Sequence, residues 1–178
     1  MTDQQERPNI SRRRLIQVAT VLPAAAIPAL VVASPAEAAY NGNIRRSEVL
    51  LRARNWYNRD ISYNQGRRAS DREGNHTYRQ DCSGFASMSW HSPTPGHSTR
   101  SIPNISSVID WADLKPGDVI NKYDYHCMIF EKWTTPSGSM RLYELTTAVM
   151  GMRCKTYTIS NLRAAGYLPR KYHKIVSG

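Results

Sequence analysis

The sequence predicts an α+β domain, with N-terminal helices packed on a C-terminal antiparallel β-sheet. Three observations point there. The apolar fraction, 40% of 178 residues, suffices for one core of ordinary size. In the first half of the chain the apolar residues recur at helical spacing, and from about residue 118 the period changes to two. The composition excludes a disordered or collagen-like chain, and three cysteines exclude a disulfide-dense mini-protein.

The first 38 residues read as an address. Arg12, Arg13 and Arg14 precede an apolar run from Leu15 to Ala33, which ends in Ala36-Glu37-Ala38. A basic stretch, an apolar stretch and small residues at the first and third positions suit a signal peptide cleaved after Ala38. Pro23 and Pro28 argue against a membrane-spanning helix. Residues 39–178 then form a single domain that is secreted, monomeric and free of membrane. Four of the 24 basic and three of the 14 acidic residues precede position 39, so the net charge falls only from +10 to +9. Such a surface attracts polyanions. Export points to an anionic cell wall as that polyanion, and Tyr and Arg are scattered rather than clustered, so the nucleic-acid signal is weak.

Val49, Leu50, Ala53, Trp56 and Tyr57 make one helical stripe, with Ser47 as N-cap and a helix over 48–58. Residues 64–80 are polar and read as a surface loop. Phe85, Ala86 and Trp90 predict a helix over 83–90 capped by Asp81. Residues 91–104 read as loop, and Ile105, Val108 and Ile109 as a short helix. Leu114-Lys115-Pro116-Gly117 marks a turn. Strands follow over 118–121, 126–133, 141–146 and 152–159, then a short helix over 160–165 stopped by Gly166, and a last strand over 167–175.

The most informative words are Asp81-Cys82-Ser83-Gly84-Phe85 and His126-Cys127-Met128-Ile129-Phe130. A nucleophilic thiol must ionise, and the N-terminus of a helix lowers its pKa because free N–H groups there favour negative charge. Nucleophilic catalysis also needs a base, and among five histidines only His126 begins a strong strand pattern. Cys127 neighbours His126, so alternation turns its side chain to the opposite face, away from the site. It either pairs with Cys154 in a disulfide, which leaves Cys82 free, or both remain separate thiols. No C-x-x-C or H-x-x-x-H occurs, so no metal is expected, and no cofactor.

Asp-Cys-Ser-Gly-Phe opening a helix, Leu114-Lys115-Pro116-Gly117-Asp118 entering a strand, and a strand that begins with His126 together resemble the NlpC/p60 family of cell-wall cysteine peptidases. The resemblance covers roughly residues 49–174. It implies a papain-like fold and a thiol protease that hydrolyses amide bonds of peptidoglycan stem peptides. Cys82 would be the nucleophile and His126 the base, with Asp81, Ser83 and Tyr63 beside the substrate groove. The family usually carries His, Asn or Gln as its third residue, on the next strand. Here Glu144 fills that stretch, with Asp124 in reserve, and a carboxylate can fix the imidazole tautomer. Two alternatives share the ingredients: an acyltransferase or transglutaminase-like enzyme on the same scaffold, and a non-catalytic wall-binding module.

Overall fold

The computed structural model describes residues 38–136 and 138–176. The signal segment proposed over 1–38 therefore lies outside the described residues except for Ala38. No helix among the described residues is long and apolar enough to cross a membrane.

The chain opens with β1 (Ile44–Arg45) and runs straight into α1 (Arg46–Asn58). The extended residue before the helix is Arg45, which makes no side-chain cap, and the expected cap Ser47 lies inside the first turn. The cause is tertiary. Ile44 and Arg45 pair in parallel with β10 (Ile175–Val176), which fixes where the extended backbone stops. Val49, Leu50, Ala53 and Trp56 are buried as their spacing predicts, whereas Tyr57 is 39% exposed and sits edge-on to Tyr143.

Residues 64–80 are not a loop. They form a hairpin, β2 (Asn64–Ser70) and β3 (Thr77–Gln80), whose polar sequence reflects wet faces: within the two strands only Ala69 and Tyr78 are buried. Then comes α2 (Cys82–Ser89), every residue of which is buried. Asp81 caps it, accepting from the N–H of Gly84 at 2.6 Å, as the sequence suggested.

The helix expected around 105–109 is instead a 3-10 turn (Ile102–Ile105) followed by strand β4 (Ser106–Val108), at the edge of the main sheet. Its short run and its exposed Val108 gave no clean period. The sheet continues with β5 (Val119–Lys122), β6 (His126–Trp133), β7 (Ser139–Leu145), β8 (Met152–Thr158) and, after α3 (Ile159–Ala164), β9 (Leu168–Tyr172). The last predicted strand is thus broken at His173 and Lys174, and its tail is β10. Strand order is β4-β9-β5-β6-β7-β8, and every pair is antiparallel. The architecture is α+β.

Alternation along the strands divides the core. Val119, Cys127, Ile129, Tyr143 and Leu145 face α1 and α2, against Val49, Trp56, Phe85 and Met88. Ile120, Met128, Phe130, Met140 and Leu142 form the other layer with Leu162 of α3, Leu114 and Tyr167. The turn before β5 is held by Asp118, whose buried carboxylate accepts from Arg46 and from the N–H of Lys115, each at 2.8 Å.

The start of α2 is pressed against β3. A Cβ placed on Gly84 would lie 2.1 Å from the carbonyl oxygen of Arg79, a backbone atom that cannot swing aside. Overpacking of this kind costs up to about 3 kcal/mol, against about 1 kcal/mol regained from alanine's better helix propensity. Gly84→Ala is therefore expected to lower stability by about 2 kcal/mol. Urea denaturation of the variant beside the parent measures it, and equal midpoints would mean that the helix start is not clamped.

Candidate active site

Cys82 is the first residue of α2 and His126 the first residue of β6, and the two ends meet. The thiol is 8% exposed and within hydrogen-bonding reach of both the His126 ring and Cys127. On its far side, His126 Nε2 lies 2.9 Å from Glu144 Oε2, which leaves Nδ1 to the sulfur. By alternation His126 and Glu144 occupy the same face of the sheet, with Met128 and Leu142.

The electrostatics follow from these contacts. Cys82 is lowered to about 5, first by the hydrogen bond from Cys127; burial opposes this, and the bond and charge of His126 add to the lowering. For His126, burial pushes the pKa down, but hydrogen bonds to Cys82 and Glu144 and both their charges outweigh it, raising it to about 9. At neutral pH the pair is a thiolate beside an imidazolium. Glu144 is 2% exposed and accepts from Arg153 at 2.8 Å and from the Tyr157 hydroxyl at 2.5 Å as well as from His126. Burial alone would raise its pKa; these donors and the two nearby cations hold it below the ordinary carboxylate range. A buried carboxylate is tolerable only when its lone pairs are met in this way.

Cys127 corrects an expectation. Its side chain faces α2 as alternation requires, but that is the face on which Cys82 sits, so it lies at the thiol rather than away from it. Fully buried, and beside a thiolate, it is pushed well above the usual thiol range and stays protonated, a donor to its neighbour. The possible disulfide to Cys154 is not formed: all three cysteines are free. Cys154 stands opposite Tyr143 on β8, with its sulfur 3.9 Å from Glu131.

Asp81 and Ser83 are 8% and 5% exposed, and their side chains serve the helix start rather than an open groove. Ser83 Oγ donates to Asp81 at 3.0 Å, and Arg79 reaches Asp81 Oδ2 at 2.8 Å and Ser83 Oγ at 3.2 Å. Tyr63 is half-buried against the same core. Burial is the main cause of its raised pKa, Gln65 donates to its hydroxyl at 2.8 Å, and the charges of Cys82 and Asp81 act on it, which puts it at the rim of the site. The reserve candidate Asp124 is an exposed turn residue bonded to Arg100, and the His126 ring is taken by Glu144. Sequence reasoning missed Cys127, Arg79, Arg153 and Tyr157. Of these only Arg153 and Tyr157 carried a signal, since alternate positions of β8 share the Glu144 face.

Chemically, such a thiolate can attack a carbonyl, while the imidazolium holds a proton for a departing amine. Comparison of the chain with protein-family models, with curated proteins and with solved structures finds no match in any of the three.

A hydrogen bond to a charged group contributes roughly 1.5–3 kcal/mol, equivalent to about one to two pH units in a titration. Cys127→Ala is therefore expected to raise the Cys82 pKa by about one unit or more. The pH dependence of alkylation by iodoacetamide reads this directly, and an unmoved curve would remove Cys127 from the site.

Proposed function

We propose that this chain is a cysteine peptidase or amidase that hydrolyses amide bonds through Cys82. The observation that carries the reading is the hydrogen-bonded series Cys82–His126–Glu144 at the N-terminus of a buried helix. A papain-like NlpC/p60 scaffold, the finer fold reading, is supported by the order of helix thiol, strand imidazole and next-strand acceptor, and by the motif residues 81–85 and 114–118. The substrate class proposed with it is the stem peptide of peptidoglycan. Two features support that choice: the net charge of +10, which favours an anionic wall, and the export signal read in residues 1–38.

The Cys82 thiolate attacks the scissile carbonyl. The N–H groups of Cys82 and Ser83, which the Asp81 cap does not use, lie at the helix start where a developing oxyanion is favoured. His126 gives its proton to the departing amine and a thioester remains. Neutral His126 then takes a proton from water, the hydroxide attacks the thioester, and the carboxylic acid leaves with Cys82 again a thiolate. Glu144 keeps the ring oriented and favours its charged form. Since Arg153 and Tyr157 hold Glu144 in turn, the ring is fixed by a buried frame and not by a mobile side chain.

Activity should follow a bell. It rises as the thiolate forms near pH 5 and falls as the imidazolium loses its proton near pH 9. Removing the carboxylate's charge with Glu144→Gln should lower kcat on the order of 10²-fold and pull the alkaline limb to lower pH. Both limbs unmoved in that variant would detach Glu144 from the mechanism.

The reading as a whole is tested by incubating the protein with peptidoglycan beside Cys82→Ala. Release of new free amines by the parent and not by the variant is the expected result. Equal wall binding without release by either would indicate a binding module. Joining of a supplied amine to the peptide would indicate a transferase.

A further inference from the structure

We propose that Asp71, His76 and His91 form a site for a divalent transition-metal ion of the zinc type, separate from the thiol. Asp71 and His76 flank the turn of the β2–β3 hairpin, and His91 lies just past the end of α2 opposite to Cys82, roughly 13 Å along the helix from it.

One donor atom from each of the three residues falls within 4.8 Å of the others. Asp71 Oδ2 is 3.1 Å from His76 Nδ1 and 3.7 Å from His91 Nε2. Ligands bound at about 2.0–2.2 Å to a tetrahedral ion stand about 3.3 Å apart, so small adjustments close the set around one centre. Asp71 is oriented for this: its Oδ1 accepts the N–H groups of Asn75 and His76, which turns Oδ2 to the rings.

His91 supplies the independent observation. The residue is 5% exposed and its Nε2 is buried with no hydrogen-bond partner, aimed at Asp71. A buried ring nitrogen left without a bond is costly, and a metal would satisfy it. Its Nδ1 lies 3.1 Å from the carbonyl of Ala38, the last residue of the signal segment read over 1–38, so this contact belongs to the uncleaved chain. Arg52 Nη2 is also 3.1 Å from that nitrogen. A guanidinium only donates, so a metal at Nε2 requires Nδ1 to keep the ring proton and Arg52 to bond instead to Glu48 at 3.3 Å and Glu73 at 2.8 Å.

There is room for the remaining ligands. A cavity of about 290 Å³ opens between Tyr40, Glu73, Asn75 and the two imidazoles, and the Tyr40 ring is stacked on His76 at 3.8 Å. Two imidazoles and one carboxylate select zinc or its neighbours over calcium and magnesium, which prefer oxygen. An ion here ties the hairpin turn to the far end of the helix whose first residue is Cys82. The spacing escapes a search for short metal motifs because the ligands come from two separate segments, the hairpin turn for Asp71 and His76 and the stretch past α2 for His91.

The test uses the full chain stripped with a chelator and titrated with zinc by calorimetry. One site is expected, retained in Cys82→Ser and weakened at least about 100-fold in His91→Gln and in His76→Gln, the second ring being partly exposed and easier to replace. Cobalt(II) added to the parent gives a reading that needs no variant: a visible spectrum without a sulfur-to-cobalt charge-transfer band. Absence of zinc binding, loss of it in Cys82→Ser, full affinity in either histidine variant, or a sulfur band with cobalt would each overturn the site.

Discussion

The meeting of two chain ends, the start of α2 and the start of β6, is the constraint on which the rest of the candidate site depends. A thiolate at 8% exposure is stable only if donors replace the water it has lost. The helix N-terminus, the Cys127 thiol and the His126 ring supply them together, and none belongs to the same local segment as the sulfur except the helix itself. The position of the helix start is in turn fixed by Asp81, bonded both to Gly84 and to Arg79, and by the absence of a side chain on Gly84 where it meets the Arg79 backbone. Shifting α2 along β3 would misplace the sulfur and break the cap at the same time.

Two buried carboxylates, on opposite faces of the sheet, are treated alike. Glu144, on the α3 side, has His126, Arg153 and Tyr157. Glu131, on the side of α1, has Arg141, Arg54 and the Tyr143 hydroxyl, and hydrogen bonding to Arg141 is the main reason its pKa is low. In both places an ion that would cost several kcal/mol to bury alone is matched by several donors. The consequences differ because one partner of Glu144 is an imidazole, whose proton can move, whereas the partners of Glu131 keep theirs at ordinary pH. Glu131 ties α1 to the sheet, and Glu144 sets the charge of a ring.

Several features were legible in the residues. Asp81 as a cap, Cys82 at a helix start, His126 at the start of a strand over 126–133 and the turn before Asp118 all rest on local chemistry, and each appears where it was read. Glu144 was readable too, because strand alternation gives its face once β6 and β7 are known to be neighbours. What went unread was non-local. The hairpin over 64–80 has almost no buried face to impose a period, β4 is three residues at a sheet edge, and the start of α1 is set by a strand contributed from the other end of the chain. Cys127 illustrates the limit: its face was inferred correctly relative to His126, but which face looks on to the helix was not a property of the strand.

The sequence by itself determined the class of the fold, the start of α2 and the turn before β5, and the identities of the thiol, imidazole and carboxylate, because these depend on side-chain chemistry within a few residues. The tertiary structure alone decided that the thiol has a second sulfur as donor, that β8 lies beside β7 so that Arg153 and Tyr157 reach the carboxylate, and that Asp71, His76 and His91 converge. Those are distances between segments far apart along the chain, set by how sheet and helices pack, and no local pattern encodes them.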